Sequence, residues 1–263
     1  IIPLSEALER FRLGKSLDNY LSITTDDGFS ENYTYLAQIL EEQNLSATFF
    51  LIGSCIDNKD LMWRNKLIYM INEDKDSLHK SLPKLLNKFS LKKPNKKESL
   101  LTWSLKWPMS QKEDMINFLW NNTKLEPVEI FLKEYKPYLS VDQIKELLGK
   151  GFEIGNHTFS HPDCSRLTSN ELIKEINVTS AILNEYFNID CKMISYPFSK
   201  RPDSKLEKEI NMNVNADTFL GVGNNLNNNI TPLRWERDRQ EFETMIESWF
   251  RFSAVPIFRK IVI

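Results

Sequence analysis

The stretch that decides the fold is Leu21-Ser22-Ile23-Thr24-Thr25-Asp26-Asp27-Gly28. Its first half predicts a short strand, and the two aspartates followed by glycine are typical of a tight turn at a strand end. Residues 31–43 then carry apolar side chains at helical spacing, and the compact apolar run 47–52 suits a buried parallel strand. A strand, a helix and a strand without a hairpin signal predict a βαβ unit and a parallel sheet.

The same alternation resumes in the second half of the chain. Further elements are predicted there: strands at 152–155, 193–196 and within 213–220, and helices at 141–150, 168–187, 205–210 and 242–252. We therefore predict an α/β fold. A distorted barrel of β/α units fits this alternation better than an open sheet, although alternation alone does not separate the two.

Residues 57–138 differ from the sequence on either side of them. They are rich in Lys, Asn, Leu and Trp, show helical spacing, and contain prolines that mark helix boundaries or kinks. We predict a mostly helical insertion within a single domain that spans residues 1–263. Its tryptophans, Trp103, Trp107 and Trp120, are expected in the core rather than on a sugar-binding platform.

The composition excludes several classes of protein. Charges of both signs are spread along the chain, the net charge is −2, and the one basic run, at 92–97, is expected to be a solvated loop, so no nucleic-acid partner is predicted. Three widely spaced cysteines favour neither a disulfide framework nor a zinc–thiolate site. No apolar run approaches the roughly 18–20 residues that span a bilayer. The opening Ile1-Ile2-Pro3-Leu4 indicates a trimmed chain without a visible secretion signal.

Two short motifs carry the candidate chemistry. His157 and His161 stand four residues apart after a predicted strand, a spacing that places both imidazoles on one side of a single helical turn. Adjacent carboxylates repel, so burying Asp26 with Asp27 needs a cation or a proton. One carboxylate and two histidines around a divalent ion leave positions for water and substrate, the layout of a hydrolytic site. The other aspartate is then placed to accept a proton.

These motifs resemble those of the polysaccharide deacetylases, the NodB-homology group also called carbohydrate esterase family 4. Residues 23–28 resemble the family's first motif, residues 157–161 its second and residues 195–198 its third. The resemblance covers 18–56 and 140–200 well, the end of the chain weakly and the helical insertion not at all. It implies the distorted barrel of that family.

The resemblance also implies residue roles. Asp27, His157 and His161 would bind the metal and Asp26 would be the general base. The backbone N–H near Phe198 would bind the oxyanion, and Tyr196 and Pro197 would contact substrate. Zinc is the expected ion, and Co²⁺, Ni²⁺ or Fe²⁺ also suit a site of two nitrogens and one oxygen.

The sequence departs from the family at three places. Thr25 stands where Phe is usual, and Ser195 stands where many members have an arginine that orients the base. No histidine follows His161 to serve as the general acid. The alternatives are Glu236 near the end of the chain, His79 if the insertion covers the site, a network of water molecules, or a final motif beyond Ile263.

We therefore expect a metal-dependent hydrolase that removes N-acetyl groups from a sugar or polysaccharide, with a bacterial surface glycan as the expected substrate. It would act on C–N bonds other than peptide bonds. Two alternatives stay open: a carbohydrate-binding pseudoenzyme that keeps the metal site, and a hydrolase of non-sugar amides. We expect a soluble protein of the bacterial cytoplasm or cell envelope, and the sequence favours no oligomeric state.

Overall fold

The computed structural model describes residues 1–222, 226–227 and 233–237. Its strands are β1 (Ile23–Thr25), β2 (Ala47–Leu51), β3 (Glu153–Asn156), β4 (Met193–Ser195), β5 (Thr218–Val222), β6 (Leu226–Asn227) and β7 (Leu233–Arg237). They form one sheet in the order β1-β2-β3-β4-β5-β7-β6. In this sheet of described strands, β6 and β7 pair in antiparallel fashion and the other five pairings are parallel.

The first five strands lie side by side in chain order and curl into a half-barrel. Thr25 pairs with Phe49, Leu51 with Asn156, and Asn156 with Ile194. Because these strands are parallel, their carboxyl ends meet at one edge, where this fold class places functional residues. The predicted distorted barrel of β/α units is confirmed.

Ten α-helices occur in the described ranges. They are α1 (Leu4–Arg12), α2 (Ala37–Glu42), α3 (Trp63–Glu73), α4 (Lys75–Lys88), α5 (Leu100–Ser104), α6 (Met109–Trp120), α7 (Val128–Tyr135), α8 (Val141–Gly149), α9 (Ser169–Phe187) and α10 (Ser204–Asn211). A π-helical turn at Asn32–Leu36 leads into α2. The predicted helix at 242–252 lies outside the described residues. No helix in the described ranges is long and apolar enough to cross a membrane.

The starts of α8 and α9 show why the sequence predicted these helices well. Ser140 and Gln143 form a reciprocal capping box at α8, and Thr168 and Glu171 form another at α9. Each box satisfies backbone N–H groups that have no partner within the helix. These side chains fix the helix starts within the sequence itself.

Helices α3 to α7 lie between β2 and β3 and build a hydrophobic cluster of their own. Trp103, Trp107 and Trp120 are buried in it, so their predicted place in the core is confirmed. Two prolines, Pro108 and Pro127, cap helix starts, whereas Pro83 lies inside α4. The treatment of 57–138 as an insertion in one domain stays a prediction.

The N-terminal helix α1 was not predicted from the sequence. Leu4 and Leu8 pack on Phe50 and Leu220 of the sheet. The backbone N–H groups of Leu4 and Ser5 donate to the carboxylate of Glu153.

Three free cysteines are buried, which agrees with the expectation that they form no disulfide framework.

Candidate metal centre

Three side chains converge at the carboxyl ends of β1 and β3. One ligand atom from each of Asp27, His157 and His161 lies within 4.8 Å of the other two. Asp27 Oδ1 is 3.1 Å from His161 Nε2 and 3.4 Å from His157 Nε2. Tetrahedral bonds of about 2.1 Å separate donor atoms by about 3.4 Å, so the cluster fits one zinc-sized ion.

The turn after β1 aims Asp27 at this point. Asp27 and Gly28 both have left-handed backbone conformations, with φ of 71° and 69°. A Cβ at position 28 would lie 2.7 Å from Cδ2 of Leu51, so glycine is required by space as well as by conformation. The tight turn that the sequence predicted is therefore present.

His157 is oriented by a hydrogen bond on the side of its ring away from the centre. Its Nδ1 is 2.8 Å from the carbonyl oxygen of Ser195, and both groups are buried. Because a carbonyl can only accept, Nδ1 carries the proton and Nε2 presents its lone pair to the centre. This is the arrangement that proteins use to hold metal-ligating histidines.

The loop that carries the two histidines is not helical, which corrects the expectation of a single helical turn. Thr158 and His161 have φ of 66° and 55°, so the chain leaves β3 through left-handed residues. Glu175 of α9 accepts hydrogen bonds from the backbone N–H groups of Phe159 and Ser160 at 2.9 and 2.7 Å. It also accepts one from the Ser160 hydroxyl. These bonds hold the loop in place of the hydrogen bonds of a helical turn.

Burial and mutual charge set the protonation of the cluster. Burial raises the pKa of Asp27, but hydrogen bonds and charge interactions with His157 and His161 outweigh it and bring that pKa well below its usual range. Burial lowers the pKa of His161. An ionised carboxylate beside a neutral imidazole is the state that a divalent cation binds. The Nδ1 of His161 has no hydrogen-bond partner among the described residues.

Asp26 lies at the edge of the same centre. Its Oδ2 is 3.7 Å from Nε2 of His157, and its Oδ1 accepts a hydrogen bond from the Ser195 hydroxyl at 3.2 Å. Ser195 thus contacts both the predicted base, through its hydroxyl, and the predicted ligand His157, through its carbonyl. A serine here holds Asp26 where many family members are expected to use arginine.

Of the third-motif residues, Phe198 contacts the metal centre, whereas Tyr196 faces the core. The ring of Phe198 meets that of His161 edge-on, with centroids 4.4 Å apart, and Phe198 has φ of 53°. The ring of Tyr196 is buried, stacks on Phe219 and directs its hydroxyl to Glu207. Pro197 is also buried. The predicted substrate contact by the Tyr196 ring therefore has no support in its placement, because that ring faces the core.

The two acid candidates are not brought to the cluster by any described contact. The backbone of Glu236 lies in β7 opposite Gly221, and its side chain falls outside the described part of the chain. His79 is exposed on α4. The role of Glu236 as the general acid therefore stays a prediction. His79 lies on the surface of the helical segment, residues 57–138.

A family model described as polysaccharide deacetylase matches residues 14–90 and 92–216. The chain belongs to the polysaccharide deacetylase family. The match runs through most of residues 57–138, so it is wider than the motif resemblance, which stopped at that segment. Among curated proteins, an uncharacterised protein, YlxY, of Bacillus subtilis strain 168 is 26% identical over 94 residues, covering 32% of this chain and 30% of that protein.

Solved structures of members of this family share the fold. A de-N-acetylase from Aggregatibacter actinomycetemcomitans is 14% identical, with a TM-score of 0.55 and coverage of 95% of this chain and 82% of the other. IcaB from Ammonifex degensii is 13% identical, with a TM-score of 0.54 and coverage of 97% and 80%. The deacetylase PplD of Streptococcus pyogenes, in complex with acetate, is 14% identical, with a TM-score of 0.50 and coverage of 90% and 72%.

Sequence reasoning missed two side chains that support the site of this deacetylase-family protein. Glu175 holds the histidine loop from a helix that starts after it, and nothing in the sequence pairs the two. Trp63 donates from its indole N–H to the buried carbonyl of His161 at 3.0 Å. A possible signal for Glu175 was its place one helical turn past the capping residue Glu171, facing the buried side of α9. Trp63 gave no signal of this kind.

Proposed function

We propose that this protein is a metal-dependent N-deacetylase of an acetylated carbohydrate. The observation that carries the proposal is the convergence of Asp27, His157 and His161 at one strand edge, with Asp26 beside them. Membership of the polysaccharide deacetylase family supports the reaction class. Zinc is the ion that this donor set favours first, and the acetylated units of a bacterial surface glycan are the proposed substrate.

The ion, when bound, supplies Lewis acidity that polarises the acetyl carbonyl and activates water. Asp26 is the proposed base, because its carboxylate is 26% exposed at the rim and is held by Ser195. The carboxylate takes the proton of the attacking water in such a reaction. The backbone N–H of Phe198 is the proposed donor to the tetrahedral oxyanion, and such a donor contributes about 3 kcal/mol.

The amine that leaves needs a proton, and Asp26 is also the group that can return one. A base that has accepted the proton of water is protonated when the C–N bond breaks, so one carboxylate can serve both steps. This route needs no second acid from the described residues. Glu236 stays an alternative donor, to be tested by its own substitution.

The test is acetate release by the zinc-loaded protein from chito-oligosaccharides and other acetylated glycans. We expect the wild-type protein to release acetate, the metal-free protein to release none, and Asp26→Asn to lower the rate by about 100-fold or more while binding zinc normally. Silence of the fully zinc-loaded protein on every glycan would overturn the proposal. Glycan binding without turnover would then identify a binding protein, and turnover of cyclic amides alone would identify a non-sugar amidohydrolase.

A further inference from the structure

Arg64 brings a permanent positive charge to the mouth of the metal centre. It is the second residue of α3, and its guanidinium carbon lies 5.3 Å from the centroid of the Phe198 ring. That ring in turn meets His161. The helical segment therefore places a guanidinium next to the candidate metal site.

Arg64 is held in this position by its neighbour. Trp63 is buried, its indole N–H donates to the carbonyl of His161, and its ring packs edge-on against Phe198 at 5.8 Å. Since Trp63 begins α3, the first turn of that helix is fixed on the histidine loop. The backbone of Arg64 is therefore fixed beside the site, and its guanidinium lies over the Phe198 ring.

No carboxylate in the described part of the chain forms an ion pair with Arg64. Lys66, two residues after Arg64 on the same helix, does form ion pairs, with Asp60 at 2.8 Å and with Glu113. Asp26 and Asp27 face the histidines instead. Like charges close together raise each other's energy, so a cation beside a metal centre is stabilised by an anion that enters with the ligand.

We infer that Arg64 selects acetylated substrates that carry an anionic group, such as a uronic acid carboxylate, next to the acetamido sugar. This inference rests on the proposed deacetylase function. A guanidinium held over an aromatic ring can still direct its N–H groups to a carboxylate or phosphate in a two-point contact. Its partial exposure leaves it accessible to a ligand at the rim. The preferred substrate is then an acidic acetylated glycan.

The experiment compares two acetylated tetrasaccharides. One is neutral tetra-N-acetylchitotetraose and the other is an acidic hyaluronan tetrasaccharide. Zinc-loaded wild type, Arg64→Gln, Arg64→Lys and Lys84→Gln are tested with each by calorimetry and by acetate release. Lys84 is an exposed cation elsewhere on the helical segment, so Lys84→Gln makes the same charge change away from the site. Circular dichroism verifies that each variant is folded.

We expect the wild type to bind the acidic probe more tightly than the neutral one. Arg64→Gln should weaken binding of the acidic probe by about tenfold and leave that of the neutral probe within about twofold. Arg64→Lys should fall between, Lys84→Gln should match the wild type, and added salt should reduce the preference. Equal losses on both probes, or no preference in the wild type, would overturn the inference.

The two proposals fail in different ways. If Arg64→Gln loses the acidic probe but no protein releases acetate from either, the deacetylase proposal fails and the role of Arg64 stands. If acetate is released from both probes at rates that Arg64→Gln leaves unchanged, the deacetylase proposal stands and the role of Arg64 fails.

Discussion

The Asp27 carboxylate at the histidine loop and the Lys112 ammonium in the helical segment, residues 57–138, have different surroundings. At the loop, Glu175 accepts three hydrogen bonds, and the Asp27 carboxylate lies between two imidazoles. In the helical segment, Lys112 of α6 is 1% exposed, and its ammonium has no hydrogen-bond partner among the described residues. It lies over the ring of Trp63, 4.3 Å from the centroid.

Because of this difference, we expect changes in the two regions to affect different properties of the protein. Satisfied buried groups hold a loop in one geometry, which a ligand site requires. The ring stabilises such a buried ammonium by about 2 kcal/mol, less than the several kcal/mol of its desolvation. The charges of Asp163 and Arg166 act on it in opposite directions. We therefore expect losses of ligand binding from changes in the loop and a gain of stability from a change at Lys112.

The largest expected effect is that of His161→Ala. Loss of a side chain that hydrogen-bonds to a metal ligand typically lowers metal affinity by about 10- to 100-fold. Loss of the ligand itself should lower it by more than about 100-fold. The measurement is zinc affinity by chelator competition. His79→Ala is the matched control, since His79 is exposed on α4, and it should bind zinc like the wild type. Unchanged zinc affinity in His161→Ala would refute the proposed centre.

Glu175→Gln should have the next largest effect. The amide oxygen of glutamine can take the place of the carboxylate oxygen that accepts from the Phe159 and Ser160 N–H groups, but as a neutral acceptor it binds them more weakly. The N–H₂ group then faces the Ser160 hydroxyl, which must reverse and accept instead of donating. We expect zinc affinity to fall by about tenfold, the lower range for groups that orient ligands. Glu185→Gln, an exposed change on the same helix, should leave the affinity unaltered. Equal affinities in the two variants would show that the loop holds itself.

The smallest effect, and the only gain, is expected from Lys112→Met. Burial, together with the charge of Arg166, lowers the pKa of Lys112 from 10.5 to about 8. Because the folded pKa is the lower one, protonation favours the unfolded chain. The contribution of Lys112 to stability therefore rises with pH between about 8 and 10.5 and is flat below that range. Methionine removes this charge, so we expect a gain of about 1–3 kcal/mol at pH 7.

Urea unfolding of the wild type and Lys112→Met at pH 7, 8 and 9 measures this difference. The gain should shrink as pH rises, because the wild-type lysine loses its proton there. Lys84→Met, at an exposed position, should change stability little at any of these pH values. A variant that is less stable than the wild type throughout would mean that the contact with Trp63 outweighs the desolvation of Lys112.

The same two regions differ in how far the sequence predicts them. Asp27 and the histidine pair follow apolar strand runs, and strand ends of a parallel sheet meet at one edge, so their convergence follows from local pattern and topology. The partner of the histidine loop, Glu175, and the contact of Trp63 depend on how helices pack on that edge. No spacing rule encodes such contacts. For that reason Arg64 and Lys112 were also not predicted.

The helix α1 and the shape of the histidine loop were missed for different reasons. The helix has a local signal in its own residues, since Leu4, Ala7 and Leu8 are buried at helical spacing and Glu6 pairs with Arg10 one turn later, and the sequence analysis did not use it. The His-x-x-x-His spacing fits a helical turn, yet hydrogen bonds from the loop to Glu175 favour another conformation. In the loop, therefore, long-range contacts outweighed the local signal.

Asp27, Thr158, His161 and Phe198 share left-handed backbone conformations. Each such residue other than glycine costs about 1 kcal/mol or more, and the surrounding packing sustains that cost. Laboratory evolution toward heat resistance would therefore favour glycine or asparagine at Thr158 rather than at Phe198, whose ring packs on Trp63 and His161. Such selection would stabilise the protein while loosening the loop that carries His157 and His161, so thermal stability and zinc affinity should change in opposite directions in the evolved variants.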